Sequence, residues 1–197
     1  MTRKVVIATK NKGKIAEIKS IFNIPSLEFL TLEDFPSIEL PPEAGKTFAD
    51  NALAKARHVA LKTGLIALAD DSGLEVDALG GRPGVFSARY AGENAADRDN
   101  YIKLLSELEG VEDRRARFRC AVALSDPKDG DKTFEGVFEG VISKGPKGVG
   151  GFGYDPVFFV PDKNKTVAEL TPEEKNSISH RAKALMKLKE WLEKKGK

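Results

Sequence analysis

The groups in this sequence best placed for chemistry are oxygens and cations arranged as phosphate chemistry needs them. Thr9-Lys10-Asn11-Lys12-Gly13-Lys14 follows an apolar stretch and leads into a helical pattern, offering backbone amides, a hydroxyl, a carboxamide and three cations. A helix N-terminus attracts anions, so a phosphate chain fits there, as does a plain solvated basic turn. The spacing is not that of a Walker loop. Asp70-Asp71-Ser72-Gly73 follows a short apolar run, and strand ends are common places for active sites in α/β proteins. Successive strand residues point to opposite sides, so the two aspartates share a site only if the strand stops before them. With Glu43, one or both would form a partial oxygen set for magnesium, which keeps water and bridges to substrate phosphates. An ordinary acidic turn is the plainer alternative. Asn51 and Lys55 stand four apart and share a helix face, where Lys55 either reaches phosphate or is solvated.

Two further segments bear on a ligand. Gly148-Val149-Gly150-Gly151-Phe152-Gly153 satisfies the dinucleotide fingerprint literally, but that fingerprint requires a helix next, and Tyr154-Asp155-Pro156 before apolar Val157 to Val160 predicts a turn and a strand. Flexible backbone beside Phe152 and Tyr154 suits a loop that approaches and stacks on a flat ligand. His180 and Arg181 fall in the first turn of the last helix, where cations oppose the helix dipole. A bound anion or electron-rich ligand would compensate them, and a basic surface helix is the alternative.

These groups need elements to hold them. Lys4 to Ala8 reads as a buried strand and Lys14 to Phe22 as a helix with Ile15, Ile18 and Phe22 on one face. A strand over Leu27 to Leu32 gives way to Pro36, Pro41 and Pro42, an irregular connection. Phe48 to Thr63 is a helix, capped by Thr47 and ended by Gly64. A strand over Leu65 to Ala69 is expected to stop at Asp70. After a helix over Asp97 to Leu108, alternation from Ala116 to Leu124 gives a strand, and Thr133 to Ile142 is expected to return antiparallel past the Asp129-Gly130 turn. A last helix, capped by Ser177 or Ser179, runs to about Lys194 and buries Ala182, Leu185, Leu188 and Leu192. The sheet is therefore mixed and the class α/β.

The chain has 197 residues, 41% hydrophobic and 31% charged, the composition of a globular protein forming a single domain over 1–197. No stretch approaches the roughly 20 apolar residues of a membrane span. The N-terminus lacks the core and cleavage site of a signal peptide, so the expected location is cytoplasmic. Cys120 is the lone cysteine, which excludes an intrachain disulfide and a cysteine zinc cluster. With 32 basic and 30 acidic residues the net charge is +2, no footprint for nucleic acid. Arg115, Arg117 and Arg119 form a basic row but lack interleaved aromatics for stacking bases.

In order and spacing, the segments at 9–14, Thr47-Phe48 with Asn51-Ala52 and Lys55-Ala56, Ala69 to Leu74, Ser87-Ala88-Arg89-Tyr90, Gly151 to Pro156 and Ser179-His180-Arg181 together resemble the inosine triphosphate pyrophosphatase family. The likeness spans nearly the whole chain. It implies an elongated two-lobed fold, with a central mixed sheet flanked by helices and a cleft between lobes, usually a homodimer. The activity implied is hydrolysis of non-canonical purine nucleoside triphosphates to monophosphate and pyrophosphate; a non-hydrolysing nucleotide sensor is the alternative. By the same likeness Thr9, Asn11 and Lys14, within a substrate-binding loop that includes Lys10, Lys12 and Gly13, would bind phosphate with Lys55. Glu43 and Asp71 would hold Mg2+, and Asp71 would accept the proton of the attacking water. Ser72 would position the triphosphate. Phe152, Gly153, Tyr154 and Asp155 would enclose the base, and Lys175, His180 and Arg181 would complete its recognition. Members often carry a second acid just before the Glu43 position, where this chain has Pro42.

Overall fold

The structure is a computed structural model that describes residues 2–22 and 24–195, Lys195 by its backbone alone. β1 (Arg3–Ile7) buries its last three residues and leads into α1 (Lys12–Ile21). Asn11 sets the start of that helix. Its backbone is extended and its side-chain oxygen accepts the Lys14 amide at 3.1 Å, an N-cap. The helix therefore begins two residues before the expected Lys14, and Gly13 and Lys14 lie in its first turn. β2 (Leu27–Thr31) pairs with β1 in parallel, Arg3 opposite Leu27 and Ile7 opposite Thr31.

Past one 3-10 turn at Leu32–Asp34, the proline-bearing stretch has no regular element before α2 (Phe48–Thr63). That helix has the expected ends. Thr47 and Asp50 exchange side-chain and backbone bonds of 3.1 Å in a capping box, and Gly64, at φ 68°, takes the left-handed conformation that stops it.

β3 (Ile66–Val76) corrects the expectation that a strand stops at Asp70. It runs for 11 residues through both aspartates, Ser72 and Gly73, and pairs in parallel with β1, Ile7 opposite Leu68. Leu74 and Val76 beyond the acidic pair are fully buried. A partnered carboxylate is as compatible with a ladder as an apolar side chain, so its polarity is a poor stop signal.

α3 (Asp97–Glu107), β4 (Arg115–Asp126), β5 (Gly130–Ile142), β6 (Phe158–Val160), β7 (Lys165–Thr166), α4 (Pro172–Ile178) and α5 (His180–Lys195) complete the chain. The sheet order is β2-β1-β3-β4-β5-β6-β7. It is mixed, as expected: β1 is parallel to both neighbours, and β6 is antiparallel to β5 and β7. The last helix starts where the Ser179 alternative puts it, whereas Ser177 lies inside a separate helix, α4, that was not expected. That helix opens with a Thr171/Glu174 capping box and Pro172 at its first position, the arrangement preferred at helix starts. Ser179, at ψ 157°, breaks it, and α5 begins at His180.

The chain divides into two compact units. The first comprises Met1–Asp71, Cys120–Gly136 and His180–Lys197, and the second Ser72–Arg119 and Val137–Ser179. The core of the first packs Val5, Ile7, Ile18, Phe22 and Leu68 with Val122, Leu185 and Leu188. The core of the second packs Leu74, Val76, Leu104 and Leu108 with Phe118, Phe138 and Phe158. Each buried side chain of this size contributes roughly 1.5 to 3 kcal/mol, enough to hold short polar segments at the edges of each core.

Candidate active site

Because β3 continues through Asp70 and Asp71, these neighbours point to opposite sides and gather different partners within the first unit. Asp71 receives Asn51 Nδ2 on Oδ2 at 3.0 Å and Lys55 Nζ on Oδ1 at 3.2 Å. Lys55 also reaches Glu43 Oε1 at 2.7 Å. Asn51 and Lys55 project from one face of α2, as their spacing predicts, and are 2% and 5% exposed. Burial alone would lower the Lys55 ammonium, but Asp71 and Glu43 outweigh it and leave its pKa above the usual lysine value. Burial, with the charge of Glu43, raises the Asp71 carboxyl against the opposing pull of Lys55.

Asp70 is buried, and its Oδ2 collects Lys14 Nζ at 3.1 Å, Arg181 Nε at 3.1 Å and Arg181 Nη2 at 2.9 Å. Burial by itself pushes this carboxyl up, yet Lys14, Arg181 and Lys55 outweigh it and hold it well below the usual carboxylate range. Arg181 Nη1 pairs with Glu17 of α1. The guanidinium expected to face a purine is thus 1% exposed, with three of its nitrogens on carboxylates. Glu17 was not singled out in the sequence, although its place three residues after Lys14 on one helix face is a usable signal. Close packing delivers the start of α5 to this cluster: a Cβ on Gly136 of β5 would lie 2.0 Å from the His180 carbonyl oxygen.

The Thr9 to Lys14 segment is tied down locally. Thr9 Oγ1 accepts the Asn11 amide at 3.2 Å, and Asn11 Oδ1 is spent on the Lys14 amide. Backbone N–H groups in the first turn of a helix have no intrahelical acceptor, so Lys12 and Gly13, with the exposed ammonium-bearing Lys10 and Lys12, are what this turn presents to an anion.

In the second unit, Asp155 Oδ2 accepts the Phe152 amide at 3.0 Å and Lys175 Nζ at 2.6 Å, and the Lys175 ammonium stands 4.5 Å from the centroid of the Phe152 ring. Gly151 must be glycine here: its φ is 76°, and a Cβ would meet Asp155 Oδ2 at 2.0 Å. Asp97, at the start of α3, accepts the Gly153 amide at 2.6 Å, and Tyr154 donates its hydroxyl to the Ser87 carbonyl at 2.8 Å. Burial pushes the Tyr154 phenol well up, so it acts as a neutral donor. Phe152, Gly153, Tyr154, Asp155 and Lys175 therefore form one braced cluster, and Ser72 is half-buried on β3. The basic row is already neutralised: Arg115 pairs with Asp113, Arg117 with Asp77 and Glu139, and Arg119 with Glu75.

Glu43 and Asp71 are the pair suited to a divalent cation. Both present a carboxylate oxygen to the same ammonium, at 2.7 and 3.2 Å, so a single positive centre is within reach of both. Two hard oxygens, with the other positions left to water and phosphate, is the donor set magnesium favours. Pro42, exposed beside Glu43, adds no ligand.

The model of the Ham1 family matches residues 5–191. A dITP/XTP pyrophosphatase of Geobacter sulfurreducens is 57% identical over 98% of this chain and 97% of its own length. The corresponding figures for a dITP/XTP pyrophosphatase of Bacillus subtilis are 52%, 97% and 98%. The solved structure of the Ham1 protein of Staphylococcus aureus has a TM-score of 0.89 to this one at 44% identity, covering 98% of this chain and all of that one.

Proposed function

The chain belongs to the Ham1 family, and from that premise we propose that it hydrolyses non-canonical purine nucleoside triphosphates (dITP, ITP and XTP) to the nucleoside monophosphate and pyrophosphate. The observation that supports this reading is the cluster of half-buried Glu43 with buried Lys55 and Asp71, two carboxylates and a cation of the kinds phosphoryl chemistry uses. Lys14, Lys55 and the amides opening α1 take phosphate oxygens and offset their charge, the dominant contribution in phosphoryl transfer. Glu43 and Asp71 hold magnesium, which supplies further electrostatic stabilisation of those oxygens when bound. Asp71 orients the attacking water and accepts its proton. The water oxygen bonds to the α-phosphorus, the bond to the bridging oxygen breaks, and pyrophosphate leaves.

Thr9 and Asn11 shape the phosphate turn, with Lys10, Lys12 and Gly13 on it, and Ser72 positions the triphosphate. His180 and Arg181, which the family likeness also gives to the base, belong to the first unit, where Asp70 and Glu17 engage the Arg181 guanidinium. Phe152, Gly153, Tyr154, Asp155 and Lys175 are assigned to the base. A carbonyl at position six of the purine accepts hydrogen bonds from such donors, whereas the amino group of adenine would leave them unpaired. The homodimer is carried over from the family likeness. Among the described residues no helix is long and apolar enough to cross a membrane.

Steady-state kinetics with dITP, XTP, dATP and dGTP in magnesium, with both products quantified, test the reading. Turnover of the first two to pyrophosphate is expected, with Asp71→Asn lowering kcat by about 100-fold or more. Tight binding without turnover would make the chain a sensor instead.

A further inference from the structure

Asn51 links the carboxylate of Asp71 to the backbone two residues past Glu43, Asp71 and Glu43 being the two groups proposed to hold the metal. Its Nδ2 donates to Asp71 Oδ2 at 3.0 Å, and its Oδ1 accepts the backbone amide of Gly45 at 2.7 Å. Gly45 lies two residues after Glu43, in the stretch between Leu32–Asp34 and α2 that carries no regular element. The orientation of the carboxamide follows from its partners, because a backbone N–H only donates and a carboxylate only accepts. Asn51 is 2% exposed, and its bond to Asp71 is buried while that from Gly45 is partly so. The approach of the loop is close: a Cβ on Gly45 would lie 2.6 Å from Asn51 Oδ1 and 2.7 Å from Asp50 Cβ.

Beyond the Lys55 ammonium at 2.7 Å from its carboxylate, Glu43 takes its height over β3 from the backbone that carries it. The segment carries Pro41 and Pro42, and Ala44 bonds only as far as the Pro42 carbonyl through its amide. We propose that Asn51 is a positioning residue: through its carboxamide it registers the Glu43 loop against Asp71 and so sets the separation of the two metal ligands. This rests on the assignment of Glu43 and Asp71 to magnesium. Asn51 touches neither substrate nor metal in this role. It acts as the outer hydrogen-bonding partners of metal ligands do, whose loss typically weakens metal affinity by 10- to 100-fold.

Two substitutions disturb the link from opposite ends. Asn51→Ala removes the carboxamide, while Gly45→Ala leaves every polar side chain in place and pushes the loop off it. Binding of Mn2+ alone, followed by electron paramagnetic resonance, and the magnesium concentration giving half-maximal dITP turnover are both measured, with thermal unfolding recorded in chelator. Each single variant is expected to need about 10-fold more metal or beyond, while kcat at saturating metal falls less than threefold. Because Asn51→Ala already removes the bond to the loop, the metal requirement of the double variant is expected to fall well short of the product of the two single effects.

Unchanged metal requirement in folded Gly45→Ala, or effects that multiply in the double variant, would overturn the proposal; if Asn51→Ala does not fold, Gly45→Ala decides alone. A wild-type chain that turns over no dITP or XTP with any divalent cation would sink the functional reading instead, which keeps the two failures apart.

Discussion

Asp70 and Asp71 are chemically identical neighbours with opposite electrostatic fates, decided by which side of β3 each faces. The Asp71 carboxyl is raised by burial and by Glu43, and the Asp70 carboxyl is held low by Lys14 and Arg181 despite burial. Removing the charge of Asp70 leaves a buried guanidinium with Glu17 as its remaining carboxylate, so Asp70→Asn should cost about 3 kcal/mol of stability at pH 7, measurable by urea unfolding. A carboxyl depressed in the folded state adds stability that is complete above its unfolded value, near 4, and fades as pH falls through the folded value. The gap between wild type and variant should therefore hold from pH 7 to about 5 and shrink only below about 4. A gap that closed between pH 7 and 5 would contradict the assignment. Most of this residue chemistry was legible in the sequence as types and spacing, including Asn51 and Lys55 on one helix face. The partners of Arg181 were not, because Asp70 and Glu17 lie 111 and 164 residues away and no local pattern encodes such a contact.

Elements with a physical start and stop were readable: α2 between Thr47 and Gly64 has the expected bounds, since cap and terminator are local chemistry. The length of β3 was misjudged because burial of carboxylates depends on tertiary partners, and α4 was overlooked although Thr171-Pro172-Glu173-Glu174 carries its capping signature. Close approach between elements is likewise invisible to pattern. Gly136 is such a case, with room for no Cβ against His180. Gly136→Ala should force β5 and the start of α5 apart and cost about 1 to 3 kcal/mol, read by thermal unfolding. A variant as stable as wild type would show that the two backbones give way freely.

At the scale of the whole molecule, the mixed seven-stranded sheet and the Ham1 family membership agree with what the joined motifs implied. With a charge balance of +2 and a neutralised arginine row, the cations proposed to bind phosphate are local rather than spread over a surface. The claim on which everything else depends is that water attacks the α-phosphorus of a deaminated purine triphosphate. Turnover of dITP and XTP in 18O-labelled water, with mass spectrometry of the products, tests it most directly. The label should appear in the nucleoside monophosphate, with unlabelled pyrophosphate as the other product. Label in pyrophosphate would place attack on the β-phosphorus, and labelled orthophosphate with a diphosphate product would place it on the γ-phosphorus; either would contradict the account.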